Sequence, residues 1–111
     1  MGFSRAVRVG HTVVVSGTAP IWPDGSVDPD AGTQARRCRE IAIAALEELG
    51  GRVEDVVRTR QYVVHAEVAD AVGAVHGDVF GDVRPASTMV VVAGLLDPRW
   101  LVEVELDAVV D

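Results

Sequence analysis

Three carboxylates, Glu103, Glu105 and Asp107, alternate along one short stretch of the chain. A carboxylate that is partly removed from water can act as the general base for an attacking water, and Glu103 is the candidate for that task. Its other use is as an interface residue bonded to backbone N–H groups, while Glu105 and Asp107, nearer the end of the stretch, read as solvated. His76 is the second acid–base candidate, because an imidazole with an ordinary pKa of about 6.5 suits proton transfer near neutrality. A histidine partly packed between subunits would look the same in sequence. Ser87 carries a hydroxyl, but no His–Asp pair stands beside it, so a hydroxyl ligand for a weakly charged molecule or a plain strand serine fits better than a nucleophile.

Other chemistries are excluded by what the chain lacks. All ten basic residues are arginine and there is no lysine, which removes Schiff-base chemistry, pyridoxal-phosphate attachment and the phosphate-loop lysine. No cofactor is expected. His11, His65 and His76 show no ligand spacing, so no metal is assigned. His65 reads as a turn residue and His11 as exposed in a strand-leading turn. The single cysteine, Cys38, allows no internal disulfide and lies on an apolar helical stripe, where it reads as small core filler. Trp22 and Trp100 are candidates for packing or for a cleft wall.

The elements that must hold these residues follow from periodicity. His11 to Thr18 is β-branched and closes on Gly17, as a strand does. Pro20, Pro23, Gly25, Pro29 and Gly32 mark a long surface loop. From Thr33 to Leu49, Ala35, Cys38, Ala42, Ala45 and Leu49 recur at spacings of three and four, with Ile41 and Leu46 widening the stripe. That pattern is an amphipathic helix, stopped by Gly50 and Gly51. Arg58 to Val64 is a strand. Glu67 to Phe80 is a weaker helix with Val68, Ala71, Val72, Val75 and Val79 on one side. Ser87 to Leu95 and Trp100 to Val110 are two further strands, the last placing Val102, Val104, Leu106 and Ala108 opposite Glu103, Glu105 and Asp107. The order strand, strand, helix, strand, helix, strand, strand describes an α+β mixed sheet with two helices on one face.

With 111 residues, no internal repeat and no linker, the chain reads as a single domain over 1–111. Hydrophobic residues make up 49%, enough for a core, and no apolar run approaches the ~20 residues a membrane helix needs. Met1 to Gly10 holds two arginines and no apolar core of a secretory signal, so the expected location is cytoplasmic. The net charge of −7 repels phosphate backbones, so neither nucleic acid nor membrane is an expected partner.

Two helices cover only one side of a sheet. Yet Val13-Val14-Val15 and Met89-Val90-Val91-Val92 are apolar on both sides of their strands, which signals burial of both. A chain of this size has nothing left to cover the second face, and self-association is the simplest solution.

The ordered set S-G-T at Ser16 to Thr18, the helix opening at Gln34, P-A-S-T at Pro85 to Thr88 and V-E-V-E at Val102 to Glu105 resembles the RidA/YjgF/L-PSP family, over nearly the whole chain. The resemblance implies a chorismate-mutase-like fold and a homotrimer with small-metabolite clefts between subunits. In active members those clefts hydrolyse reactive imines and enamines. It also implies a cleft arginine in a P-A-R-S/T motif that grips the substrate carboxylate, and a glutamate on the final strand that handles water. By position the glutamate is Glu103 and the strand-end serine is Ser16. The arginine is replaced by Ser87, the N-terminal aromatic is Phe3 rather than tyrosine, the helix asparagine is Gly73, and the residue after Thr88 is Met89. His76-Gly77-Asp78-Val79-Phe80-Gly81 resembles a subgroup that lacks the arginine.

Three functions follow as expectations. The first is a trimer whose clefts bind a small metabolite and are weak or inactive toward the family's usual 2-imino and enamine substrates. The second is a hydrolase of an altered imine or enamine, with Glu103 handling water and Ser87 holding a neutral group. The third is a protein-interaction role of the trimer surface. Ribonuclease activity is not expected from a chain without lysine or a basic stripe. Arg84 and Arg99 are the cations that could stand in for the missing guanidinium.

Overall fold

The computed structural model describes all 111 residues, Met1–Asp111. Five strands form one sheet: β1 (Ala6–Val9), β2 (Thr12–Thr18), β3 (Val56–Val63), β4 (Ala86–Val91) and β5 (Val102–Val109). Their order across the sheet is β1-β2-β5-β3-β4. All neighbours run antiparallel except β3 and β4, which are parallel and joined through a helix. The two helices, α1 (Ala31–Glu48) and α2 (Ala69–Phe80), pack on the face made by Val13, Val15, Val63, Val102, Val104, Leu106 and Ala108.

The first helix begins earlier than its apolar stripe suggests, because the cap is a polar residue outside that stripe. The Asp30 carboxylate accepts from the Thr33 backbone N–H and hydroxyl, both at 2.9 Å. Gln34 is buried and holds two loops to the helix: its amide donates to the carbonyls of Asp28 (2.7 Å) and Arg99 (2.9 Å) and accepts from Leu101 N–H (2.8 Å). At the other end Gly50, at φ +89°, turns the chain, and the N–H groups of Gly50 and Gly51 return to the carbonyls of Glu47 and Leu46. The Arg8 guanidinium satisfies a further terminal carbonyl, that of Leu49, at 2.7 Å.

Several boundaries differ from the sequence reading. The second helix is preceded by one tight turn over Ala66–Val68, and it buries Val72, Val75 and Phe80 rather than Ala71, which is exposed. Strand β4 stops at Val91, well before Leu95, since only the segment paired with β3 has a ladder to join. Strand β3 starts two residues earlier, at Val56, and β5 starts at Val102 rather than Trp100.

The second face of the sheet is bare within the chain. Val14 is 43% exposed, and Val7, Val9, Val90 and Val109 are also open to solvent. The apolar pairs therefore divide: Val13 and Val15 go into the core, and Val14 faces outward. No helix is long and apolar enough to cross a membrane.

Candidate functional site

Alternation on β5 carries Glu103, Glu105 and Asp107 to the bare face. Glu103 lies against Gly17 of β2, where the pairing with β5 shifts register. A Cβ at Gly17 would stand 2.5 Å from the Glu103 carboxylate oxygen, so a side chain there would push the carboxylate out of its present position. Burial pushes the Glu103 carboxyl above its ordinary pKa; nearby Arg5 works against that rise and Glu105 adds to it. No backbone N–H of the chain itself caps the carboxylate. Arg5 spends its guanidinium on the Gly17 carbonyl (3.1 Å) and the Thr18 hydroxyl (2.6 Å).

Glu105 and Asp107 differ from the solvated pair expected. The Tyr62 hydroxyl donates to Glu105 at 2.6 Å, and Arg60 sits 3.7 Å from Glu105 and 3.4 Å from Asp107. Both are part of a polar network across β3 and β5, which leaves Glu103 as the carboxylate of this face with no hydrogen-bonded partner.

Ser16 and Phe3 lie at the same end of β2 as Glu103. The Ser16 hydroxyl donates to the Ser4 carbonyl at 2.6 Å, anchoring the segment that carries Phe3, whose ring is largely exposed. These residues form one locus.

Ser87 forms a second locus on the opposite face. The parallel register sets it beside Thr59, whose hydroxyl donates to Ser87 Oγ at 2.8 Å. The Gln61 amide donates to Ser87 Oγ at 3.1 Å and to the Thr88 carbonyl at 2.8 Å. From α2, His76 Nε2 lies 2.8 Å from Thr59 Oγ1. Burial, and secondarily the charge of Arg39, holds the His76 imidazole below its usual pKa, favouring the neutral ring. Met89 lies on this side too, half-buried against the core, while Gly73 is exposed on α2 with open space where a side chain would project.

Arg39 is the residue that sequence reasoning missed here. Its side chain is buried, its guanidinium lies 5.2 Å over the Phe80 ring, and both terminal nitrogens lack a hydrogen-bond partner. Burial brings its pKa down to about 10. The spacing Ala35, Arg39, Ala42, Leu46 places it on the buried stripe, but its charge argues for the solvent side. Thr59 and Gln61 were missed because they matter only through the β3–β4 register.

The two loci do not meet within the chain. Glu103 projects from one face of the sheet and Ser87, Met89 and His76 belong to the other, with β3 between their strands. Of the candidate stand-in cations, Arg99 is engaged by Asp97 (2.8 and 3.1 Å) and by the Gly25 carbonyl. Arg84 is exposed, at φ +56°, in the turn before Pro85. Trp22 stacks under the Arg37 guanidinium at 4.1 Å. Cys38 is buried and its thiol is pushed up to about 12 by desolvation, in keeping with a packing role. No three His, Cys, Asp or Glu side chains converge as a metal site would need.

Comparison with known proteins gives a consistent likeness. The sequence profile described as Endoribonuclease L-PSP matches residues 1–110. An uncharacterized protein of Streptomyces coelicolor is 41% identical over 110 residues, covering 96% of this chain and 81% of that protein. The 2-iminobutanoate/2-iminopropanoate deaminase of Salmonella typhimurium is 32% identical over 111 residues, covering 96% of this chain and 84% of the enzyme. Among solved structures, Rv2704 of Mycobacterium tuberculosis, a member of the YjgF/YER057c/UK114 family, superposes with a TM-score of 0.90 at 42% identity, covering 98% of this chain and 87% of that one. The YjgF gene product of Escherichia coli gives 0.89 at 30% identity, covering 96% and 87%.

Proposed function

The chain belongs to the RidA/YjgF/L-PSP family, and from that premise we propose that it binds a small metabolite in clefts between the subunits of a homotrimer and acts weakly, if at all, on 2-imino and enamine acids. The observation that carries this reading is the separation of Glu103 and Ser87 on opposite faces of one sheet. A cleft that uses both must draw them from two copies. The exposed valines of the bare face support the same conclusion, since a covering copy removes them from water. The partner is uncharged or weakly charged, and neither nucleic acid nor membrane is part of the reading.

The reduced activity follows from Ser87. In P-A-S-T it stands where the family's P-A-R-S/T motif sets a guanidinium, and a hydroxyl cannot make two parallel charge-assisted bonds to a carboxylate. Losing such an anchor costs about 2–5 kcal/mol. Imine hydrolysis with imino acids generated in situ by an amino-acid oxidase, run on wild type beside Ser87→Arg, tests this directly. Activity in the variant alone is expected; comparable activity in wild type overturns the reading.

A second reading, hydrolysis of an altered imine or enamine, is favoured by the state of Glu103. Its raised pKa and lack of a hydrogen-bonded partner suit a base that takes a proton from water. A Glu103→Ala variant with undiminished turnover of such a substrate would sink it. An endoribonuclease-like role, the other activity attached to the family's description, is disfavoured by the −7 charge and the absence of lysine.

A further inference from the structure

Ser87 is not a free hydroxyl. An oxygen of this kind has two lone pairs and one proton. Thr59 donates to it at 2.8 Å and the Gln61 amide at 3.1 Å, which together occupy both lone pairs. What remains is the Ser87 proton, whose one acceptor in the chain, Gln61 Oε1, is distant at 3.3 Å. Thr59 is in turn committed: with its proton on Ser87, its oxygen accepts from His76, 2.8 Å away, when the ring carries its proton on Nε2. In that tautomer the three groups form a chain of donors that starts at His76, passes through the fully buried Thr59 and ends at the exposed Ser87.

The surroundings hold the chain in this direction. His76 is faced by the Phe80 ring from its own helix, 4.8 Å between centroids, and by Thr59 from β3. The charged group that bears on it is Arg39 of α1, a cation with no acceptor of its own. A positive charge at the closed end and successive donors toward the open end polarise one another in the same sense.

We propose that His76, Thr59 and Gln61 are specificity residues that commit Ser87 to donate a single hydrogen bond, so that the cleft takes an uncharged carbonyl oxygen at the point where its relatives hold a carboxylate. One polarised hydroxyl satisfies one carbonyl oxygen. It supplies neither the second donor nor the full charge that would repay desolvation of a carboxylate. The inference rests on the reading that Ser87 lines a ligand cleft. The donor chain itself exists without any ligand.

Two measurements test it. In ligand-free protein, nitrogen-15 NMR should show a slowly exchanging proton on His76 Nε2. Thr59→Val should abolish that signal, and Ser87→Ala should shift the His76 ring nitrogens while leaving those of His11 and His65 in place. If both substitutions leave His76 unmoved, there is no donor chain and the proposal falls. For the ligand, 2-oxobutanamide and 2-oxobutanoate are titrated against wild type, Ser87→Arg and Thr59→Val. Wild type should bind the amide about tenfold more tightly, because neither a second donor nor a charge repays desolvation of the carboxylate. Ser87→Arg should reverse the order, and Thr59→Val should erase the preference. A wild-type preference for the carboxylate overturns the carbonyl assignment. If neither probe binds although His76 responds to Ser87→Ala, the cleft reading itself is wrong, and the ligand preference falls with it while the donor chain stands.

Discussion

Along β5, Val102, Val104, Leu106 and Ala108 pass under the helices, whereas Glu103, Glu105 and Asp107 point to a face that nothing in the chain covers. On the covered side hydrocarbon is closed in by two helices, and its polar exceptions are tied down or stranded: Gln34 makes three hydrogen bonds and Arg39 leaves two nitrogens unpaired. On the bare side, valines alternate with an ion-pair network and one unpartnered carboxylate. The difference separates two kinds of demand on one strand. Residues of the covered face hold the fold of a single copy; those of the bare face are left uncovered by the chain.

Substitution can break that comparison. Phe80→Ala, at the covered face, should cost about 3–5 kcal/mol in denaturant unfolding, because it empties the site of a fully buried aromatic ring. Next in size, Arg39→Leu should stabilise the fold by about 1–4 kcal/mol, since it replaces a buried, unpaired cation with hydrocarbon. The same change should let His76 titrate at higher pH, which NMR can follow.

The pH dependence sharpens the other side. Burial raises the Glu103 pKa, so between the ordinary carboxylate value and the raised one the folded chain holds more protons than the unfolded chain. Its contribution to stability therefore falls as pH rises through that window. Glu103→Gln should flatten the profile, gaining on wild type at neutral pH relative to acid pH in paired thermal melts. The smallest effect on folding belongs to Val14→Ser, within about 0.5 kcal/mol for a surface change. It should instead weaken self-association, measured by sedimentation. An equal loss of fold stability from Val14→Ser and Phe80→Ala would erase the distinction between the faces.

Much of the scaffold was legible because it depends on local period. The spacing of Ala35, Cys38, Ala42 and Ala45, with Gly50 behind them, specifies α1 without reference to anything distant. The alternation of β5 separates Glu103 from Val102 and Val104, and the valine pairs pointed to a second apolar face. What was not legible depends on register. Nothing local says that Ser87 pairs with Thr59, or that Thr59 meets His76 where α2 packs on β3, and the apolar run to Leu95 hid the true end of β4. Arg39 lay on the correct stripe, but a charged side chain is ordinarily assigned to water.

The strand order has one more consequence, and it concerns time. β5 is the last strand in the chain and lies in the middle of the sheet, with Thr12 of β2 paired to Val109. Without β5 the β1–β2 hairpin and the β3–β4 pair expose the edges of β2 and β3 and are joined only through α1, which packs on β2 and α2. The strand that closes the sheet follows in the chain everything it joins, so the edges of β2 and β3 stay open to a wrong neighbour until β5 pairs with both.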